Sequence, residues 1–387
     1  MKKKIFNAMG LMTGTSMDGI DLSIIQSDGY SKFTPILNNY CEFDTELQQK
    51  LTDLRNKIFT SKDLLKFSSE LDIVEKDFTL FNCKFIDKIL KNFDDPLDII
   101  GLHGQTIFHN SNEKISKQLG DGKLLSQLTK KIVVNNFRQE DLINGGQGAP
   151  LVPIFHKLIA NQLYKKSKID FPLNIINIGG ITNITQVLAH NDLNHLNDLS
   201  FCAYDIGPGN CLIDEWIRNN TKKKFDFNGE IAESGKINDL ILNQAIENFN
   251  FESFNKSLDV KDFDTSFVRG LSLEDGCATL TKFSANLIAK GIENINDLNN
   301  CSPSKNLICG GGRKNSFLIK CINEEIVKTK NINKIENIDK YNFDGDYIES
   351  QAFALLAIRT FLKLPISFPS TTRCNSPTIG GMINKNF

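Results

Sequence analysis

Residues 9–21 read MGLMTGTSMDGID. The small hydroxyls of Thr13, Thr15 and Ser16, the glycines Gly14 and Gly19, and the carboxylates Asp18 and Asp21 crowd one polar turn. The apolar runs on either side, KIFNAMGLM (4–12) and IDLSII (20–25), read as strands. An ordinary hairpin tip needs far less. Consecutive backbone N–H groups with Thr or Ser hydroxyls form an anion-binding concavity, and glycine lets the backbone approach a phosphate with no Cβ in between. Asp18 and Asp21 would repel a bare phosphate, an objection that disappears if Mg²⁺ sits between, since that ion takes hard oxygen ligands and water. Two ordinary hairpins with polar tips remain the alternative for this turn and for its echo described below.

Working outward, the chain has 387 residues, 40% hydrophobic and 24% charged, which suits a soluble protein of two ordinary domains. Lys and Arg number 45 against 46 Asp and Glu, so no overall field favours nucleic acid or an anionic membrane. Nine cysteines form no C-x-x-C pair, which leaves no metal-ligand spacing and no disulfide framework and points to a reducing cytoplasm. The start MKKKIFNAMGLM looks like a signal peptide until Asn7 and TGTSMDG cut its apolar run short. No segment has the roughly 18 to 20 apolar residues that span a bilayer.

Strands alternate with helices along the chain, an α/β pattern. A helical region covers about 45–92, and LDIIGLHGQTIFH (97–109) reads as one strand. A second domain opens near KIVVNNFRQEDLINGGQGAPLVPIFH (131–156), where a glycine- and proline-rich loop runs into a helix. LNIINIGGITNITQVL (173–188) repeats the opening order of strand, glycine turn and strand. FCAYDIGPGNCLIDEWIRNN (201–220) reads as strand, tight turn, helix; about 230–299 is mostly helical; and residues 328–340 form an Asn/Lys/Ile-rich connector. In GDYIESQAFALLAIRTFL (345–362) Asp346 and Glu349 are spaced as a capping box.

No P-loop or dinucleotide fingerprint is present. The turn GGITN (179–183), with Gly179, Gly180, Thr182 and Asn183, offers a second phosphate concavity. YDIGPGN (204–210) puts Asp205 at a strand's end before Gly207, Gly209 and Asn210, a placement suited to a general base and equally to a turn-capping carboxylate. CGGGRKN (309–315) carries Gly310, Gly311 and Gly312 before Asn315. A strand-to-helix turn needs one glycine, so three suggest a ring or phosphate lying on backbone. GLHGQTIFH and FRQEDLINGGQGAPLVPIFH contribute His103, Gln105, Arg138 and Asp141 as polar-pocket candidates. His103 and His109 find no third zinc ligand within sequence reach.

GLMTGTSMDGID, GLHGQT, GGQGAPLVP, NIGGITN, YDIGPGN, CGGGRKN and ESQAFALLA stand in one order along the chain. Together they resemble the anhydro-N-acetylmuramic acid kinase family over nearly all 387 residues. The resemblance implies an actin-like ATPase (ribonuclease H-like) α/β fold, with two related lobes around a central nucleotide cleft. Lobe I would be 1–130 with the C-terminal segment from about 365, and lobe II 131–364. The implied reaction uses ATP and Mg²⁺ to open 1,6-anhydro-N-acetylmuramic acid with water and phosphorylate O6 in cytoplasmic peptidoglycan recycling. Asp205 matches the catalytic carboxylate. Gly14, Thr15, Ser16, Met17, Asp18, Gly19, Ile20 and Asp21 would form the phosphate loop, with Asp18 or Asp21 toward the metal. Gly310–Gly312 would lie by the nucleoside, and His103, Gln105, Arg138, Asp141 and Glu349 would face the sugar. No nucleic acid or membrane partner is implied, and a homodimer is left open. Asn136, Ile206 and Arg373–Cys374 depart from the family pattern. Another sugar or small-acid kinase of the superfamily, or a non-catalytic nucleotide-gated binding protein, are the competing readings.

Overall fold

The opening hairpin forms as its apolar runs predict. In the computed structural model, which describes residues 4–167, 169–189, 199–249, 256–301, 303, 305–328 and 333–387, β1 (Phe6–Met12) and β2 (Gly19–Ser27) pair antiparallel, and β3 (Phe33–Glu42) extends the meander. Helices α1 (Thr45–Lys57), α2 (Ser61–Lys66) and α3 (Ser68–Leu90) occupy the expected helical region. The run expected as one strand over 97–109 divides into β4 (Ile99–Leu102) and β5 (Gln105–Asn110). Gly104, at φ +82°, turns the chain out of the sheet, and β5 pairs with β6 (Ile115–Leu119) as a separate ribbon. Next come α4 (Gly122–Thr129), β7 (Ile132–Asn135), α5 (Gln139–Ile143) and α6 (Pro153–Ser167).

The echoed hairpin is β8 (Leu173–Ile178) and β9 (Ile181–Ala189), followed by β10 (Leu199–Pro208) and α7 (Cys211–Asn220). The stretch read as helical holds α8 (Glu230–Ser234), α9 (Asp239–Glu247) and α10 (Leu273–Leu298). Then follow β11 (Lys305–Cys309), α11 (Ser316–Lys328), β12 (Ile335–Asn337), α12 (Ile348–Phe361), α13 (Pro369–Thr372) and β13 (Met382–Asn384). Residues 250–255 of the expected helical stretch and 329–332 of the connector lie outside the described residues.

The chain divides into two compact units, Met1–Leu158 with Tyr347–Phe387, and Ile159–Asp346. The lobes were expected to divide at 130/131 and 364/365, and the compact units divide at 158/159 and 346/347. Strand β7 pairs with β4, and α12 packs on β1, β2 and β4, so hydrogen bonds and packing keep both in the first unit. The capping box expected at Asp346 and Glu349 does not form either. Tyr347 is the N-cap, with no side-chain bond, and Asp346 is engaged by Arg313 and Lys314.

Each unit is built on the same sheet. The first has the order β13-β7-β4-β1-β2-β3 and the second β10-β9-β8-β11-β12. Leaving aside the edge strand β13, both read third, second, first, fourth, fifth in order of appearance. In both, the first three strands are antiparallel and the first, fourth and fifth are parallel. That is the ribonuclease H-like arrangement, present twice, as the actin-like fold requires.

Side-chain alternation decides what covers each face. Met9, Leu11, Ile100 and Leu102 join α1 and α3 in one core. Gly10 and Gly101 point the other way, and there α12 lies directly on the sheet. A Cβ at Gly10 would stand 1.9 Å from the Ser350 carbonyl, and one at Gly101 2.3 Å from that of Phe353. In the second unit Ile176, Ile178, Ile184, Tyr204, Ile206 and Ile308 pack with α7, α10 and α11.

Candidate active site

Ligand sites of open α/β sheets lie beyond the carboxyl ends of parallel strands. In the first unit the segments after β1, β4 and β7 are Thr13–Asp18, His103–Gly104 and Asn136–Arg138, all named by the sequence. The buried Thr13 hydroxyl donates to the Gly104 carbonyl at 2.8 Å, and Gln105 Nε2 donates to the Gly14 carbonyl at 3.2 Å. The hydroxyl turn and the His103–Gln105 segment are thereby one assembly.

Thr15 and Ser16 are exposed, and Ser16 Oγ donates to Asp18 Oδ1 at 2.6 Å. Met17 and Ile20 are core side chains, so only their backbone can serve a ligand. Gly19 is pressed against the ring of Tyr40, a residue that pattern reading passed over. Burial, and then the carboxylates of Asp18, Glu42 and Asp21, hold the Tyr40 phenol protonated above its usual range. Asp18 and Asp21 therefore share one acidic neighbourhood.

Arg138 Nη2 donates to His103 Nε2 at 2.8 Å and Nη1 to the Gly148 carbonyl at 2.8 Å. A guanidinium only donates, so the neutral His103 ring carries its proton on Nδ1. Burial, followed by the Arg138 charge, holds that ring far below its usual pKa. Asp141 is buried and accepts from Gly148 N at 2.7 Å and from Thr372 Oγ1 at 2.6 Å. One oxygen thus holds the GGQG loop and the other the C-terminal segment, which makes Asp141 a loop anchor. Glu349 sits half-buried in the first turn of α12.

In the second unit the turns after β8, β10 and β11 converge. Gly209, Asn210 and Cys211 donate backbone N–H groups to the carbonyls of Gly180 and Gly179 at 2.8 to 3.2 Å. A Cβ at Gly209 would stand 2.4 Å from the Gly179 carbonyl. Thr182 is buried, and its hydroxyl has no hydrogen-bond partner. A Cβ at Gly312 would stand 3.0 Å from Asn210 Nδ2, which brings the third turn to the second. Asn315 Oδ1 accepts from Leu318 N at 2.9 Å and so serves as a helix cap.

Contrary to expectation, Asp205 does not end its strand. β10 continues to Pro208 across a bulge between Asp205 and Gly207, a device that re-aims side chains near active sites. Asp205 pairs with Asn183 across the ladder and is 5% exposed. Oδ2 accepts from Leu258 N at 2.9 Å, which fixes the carboxylate's orientation. Ile206, a departure from the family pattern, is core and needs Gly291, where a Cβ would stand 2.7 Å from it. The departures Asn136 and Arg373 both adopt left-handed backbone, at φ +52° and +64°.

Setting Gly180 aside, most glycines are explained by a positive φ or by a neighbour that a Cβ would strike. Three are not: Gly14, Gly179 and Gly311. Around them a Cβ would meet nothing nearer than 3.4 Å, and at Gly311 nothing within 4 Å. All three lie in the turns singled out as nucleotide contacts, whereas a Cβ at Gly207 would stand 3.3 Å from the core side chain of Leu287. Gly310, at φ +80°, and Gly312 are demanded by the packing against Asn177 and Ile178; Gly311 has no such reason. Its exposed backbone is available to a flat ligand.

Among the described residues no three His, Cys, Asp or Glu side chains gather to hold a metal. His103 and His109 fall on different segments, His109 Nδ1 lying 2.9 Å from Ser116 Oγ.

The family model for anhydro-N-acetylmuramic acid kinase matches residues 6–386. A Pelagibacter ubique protein named anhydro-N-acetylmuramic acid kinase is 51% identical, with 100% of both chains covered. A Rhizobium etli protein of the same name is 34% identical, covering 97% of this chain and 98% of its own. Among solved structures, the hexokinase from Schistosoma mansoni complexed with glucose covers 91% of this chain and 85% of that chain at 11% identity, with a TM-score of 0.42.

Proposed function

The chain belongs to the anhydro-N-acetylmuramic acid kinase family, and we propose that it runs that family's reaction with Asp205 as general base. It is an ATP-dependent phosphotransferase that converts 1,6-anhydro-N-acetylmuramic acid to N-acetylmuramic acid 6-phosphate and ADP in cell-wall recycling. The competing superfamily kinase and nucleotide-gated binding protein give way, because the match runs through nearly every residue.

Asp205 takes the proton of a water that attacks C1. The new C1–O bond forms as the C1–O6 bond of the bridge breaks, and O6 takes the γ-phosphoryl group as the bond to ADP breaks. The Leu258 N–H on Oδ2 supports this role by holding the carboxylate in one orientation, since a general base must be aimed at the proton it takes. Positioning and charge stabilisation supply most of the catalysis in phosphoryl transfer.

The observation that carries the nucleotide reading is the set of glycines with no packing reason, Gly14, Gly179 and Gly311. In the first unit backbone at Gly14, with Thr15 and Ser16, would offer phosphate contacts; in the second, backbone at Gly179 with Thr182 would do so, and Gly311 would lie by the nucleoside. Magnesium fits Asp18 or Asp21, since that ion is commonly held by one or two carboxylates plus phosphates and needs no protein cage. When bound, it offsets charge on the transferring phosphoryl group. His103, Gln105, Arg138 and Glu349 would line the sugar side. Among the described residues no helix is long and apolar enough to cross a membrane. Free cysteines throughout suit a reducing cytoplasm.

The test is an ADP-coupled assay with the anhydro sugar, N-acetylmuramic acid and N-acetylglucosamine in parallel. ADP release with the first alone is expected, and one labelled solvent oxygen at the anomeric carbon of the product. Equal turnover of a non-anhydro sugar would overturn the hydrolytic half of the mechanism.

A further inference from the structure

We propose that Arg313 is a positioning residue for the nucleotide, locking the glycine turn at 310–312 to the 339–346 connector and so setting the shape that the turn offers its ligand. The proposal rests on the reading of that turn as a nucleotide contact.

Arg313 directly follows the three glycines, yet its side chain is only 4% exposed. Its backbone N–H and its Nη1 both donate to the Gly310 carbonyl, at 3.2 and 3.1 Å. Nε donates to Asp339 Oδ2 at 3.0 Å, Nη1 to Asp346 Oδ1 at 2.5 Å, and Asp344 lies 3.7 Å from Nη2. The connector closes on the same turn from its own side. Gly310 N donates to the Gly345 carbonyl at 2.9 Å, and Gly345 N donates to Asp339 Oδ1 at 2.8 Å. Gly345 has no room for a side chain, because its Cβ would stand 2.6 Å from Arg313 Nε. Lys314 brings a second cation to Asp346 at 2.6 Å.

A plain strand-to-helix turn needs none of this. The following helix already has its cap in Asn315, so the cluster is not required to start α11. Removing a guanidinium from water is costly unless its donors are met, and here Nε and Nη1 are committed to Asp339, Asp346 and the Gly310 carbonyl. Between the doubly held Gly310 and Arg313 stands Gly311, the exposed glycine with open space. A nucleoside resting there would bear on backbone already held in one shape. With a loose lock the turn would have to be ordered on binding, and that cost appears as lost affinity. Asp346 is also the last residue before the chain passes into the first unit's α12.

Arg313→Lys keeps the charge and loses the planar fork; Asp346→Asn keeps the shape and loses the charge. For both, the KM for ATP is expected to rise about tenfold, with kcat and the KM for the anhydro sugar within about twofold. Calorimetric binding of a non-hydrolysable ATP analogue should weaken by the same factor, with the melting temperature close to that of the unmodified protein. Lower melting temperatures with both KM values unchanged, a parallel rise in the sugar's KM, or failure of both variants to fold would assign the cluster to stability and overturn the proposal. Gly311→Val separates this inference from the reading beneath it, since the added side chain has space and the fold should hold while ATP binding weakens. Unchanged ATP affinity in that variant removes the nucleotide from the turn and takes the lock with it. Weakened affinity there, with normal ATP binding in Arg313→Lys and Asp346→Asn, leaves the nucleotide reading intact and removes the lock alone.

Discussion

At Asp205 the bulge in β10 and the Leu258 N–H hold a carboxylate in a fixed aim. Asp205→Asn keeps the volume and removes the basicity. Its kcat is expected to fall by about 10² to 10⁴, the usual worth of a general base, with calorimetric binding of both substrates retained. Near-normal kcat would remove Asp205 from the role. Two buried histidines give a second prediction at this scale. Burial alone pushes His156 down to about 3, and burial with the Arg138 charge pushes His103 well below its usual value. Both rings are therefore neutral in the folded chain and charge on unfolding below about pH 6.5. Their stabilisation is complete above that pH and is lost as pH falls toward the folded values, at ~1.4 kcal/mol per pH unit for each ring. Urea titrations at pH 7.5 and 5.5 should show the lower midpoint at 5.5; equal midpoints would contradict the buried neutral state.

Helix α12 depends on two glycines of the strands beneath it. Gly10→Ala would place a methyl 1.9 Å from the Ser350 carbonyl, and backbone cannot move aside as a flexible side chain can. A loss of at least about 1–3 kcal/mol is expected, the usual cost of overpacking, read as a lower urea midpoint. In the second unit Gly209 has a comparable role, keeping the β10–α7 turn against the Gly179 carbonyl at the end of β8. The glycines of the candidate site thus divide by element: some seat one backbone on another, and others leave backbone open.

Across the molecule, the first unit is assembled from both ends of the chain. β13 pairs with β7, Thr372 donates to Asp141 at 2.6 Å, and Gln147 N donates to the Thr372 carbonyl at 2.7 Å. The C-terminal segment thereby holds the GGQG loop in place. Thr372→Val should cost about 1–3 kcal/mol, since it leaves a buried carboxylate short of a donor. Denaturation measures that cost, and an unchanged midpoint would show that the loop does not need the tie. Nothing local in TTRCNSP (371–377) announces this partnership, because Asp141 lies more than two hundred residues earlier.

Period-two alternation and glycine punctuation were enough, read along the chain, to place both hairpins, the strand–turn–helix at 201–220 and the glycine turn at 309–315. These depend on neighbours a few residues apart. The ordered motifs were enough for the family, which nearly whole-length matches bear out. Packing alone decided the rest. β7 and α12 sit in the first unit because their hydrogen bonds and close contacts are there, and no composition change marks those partners. Asp346 lost its expected capping role to Arg313, and Asp141 was drawn into the loop it anchors. The three glycines of 310–312 look alike in sequence; only their surroundings separate two that the fold demands from one that it leaves bare. Local chemistry is written in local spacing, whereas a side chain's long-range partner is settled by which distant backbone the fold brings against it.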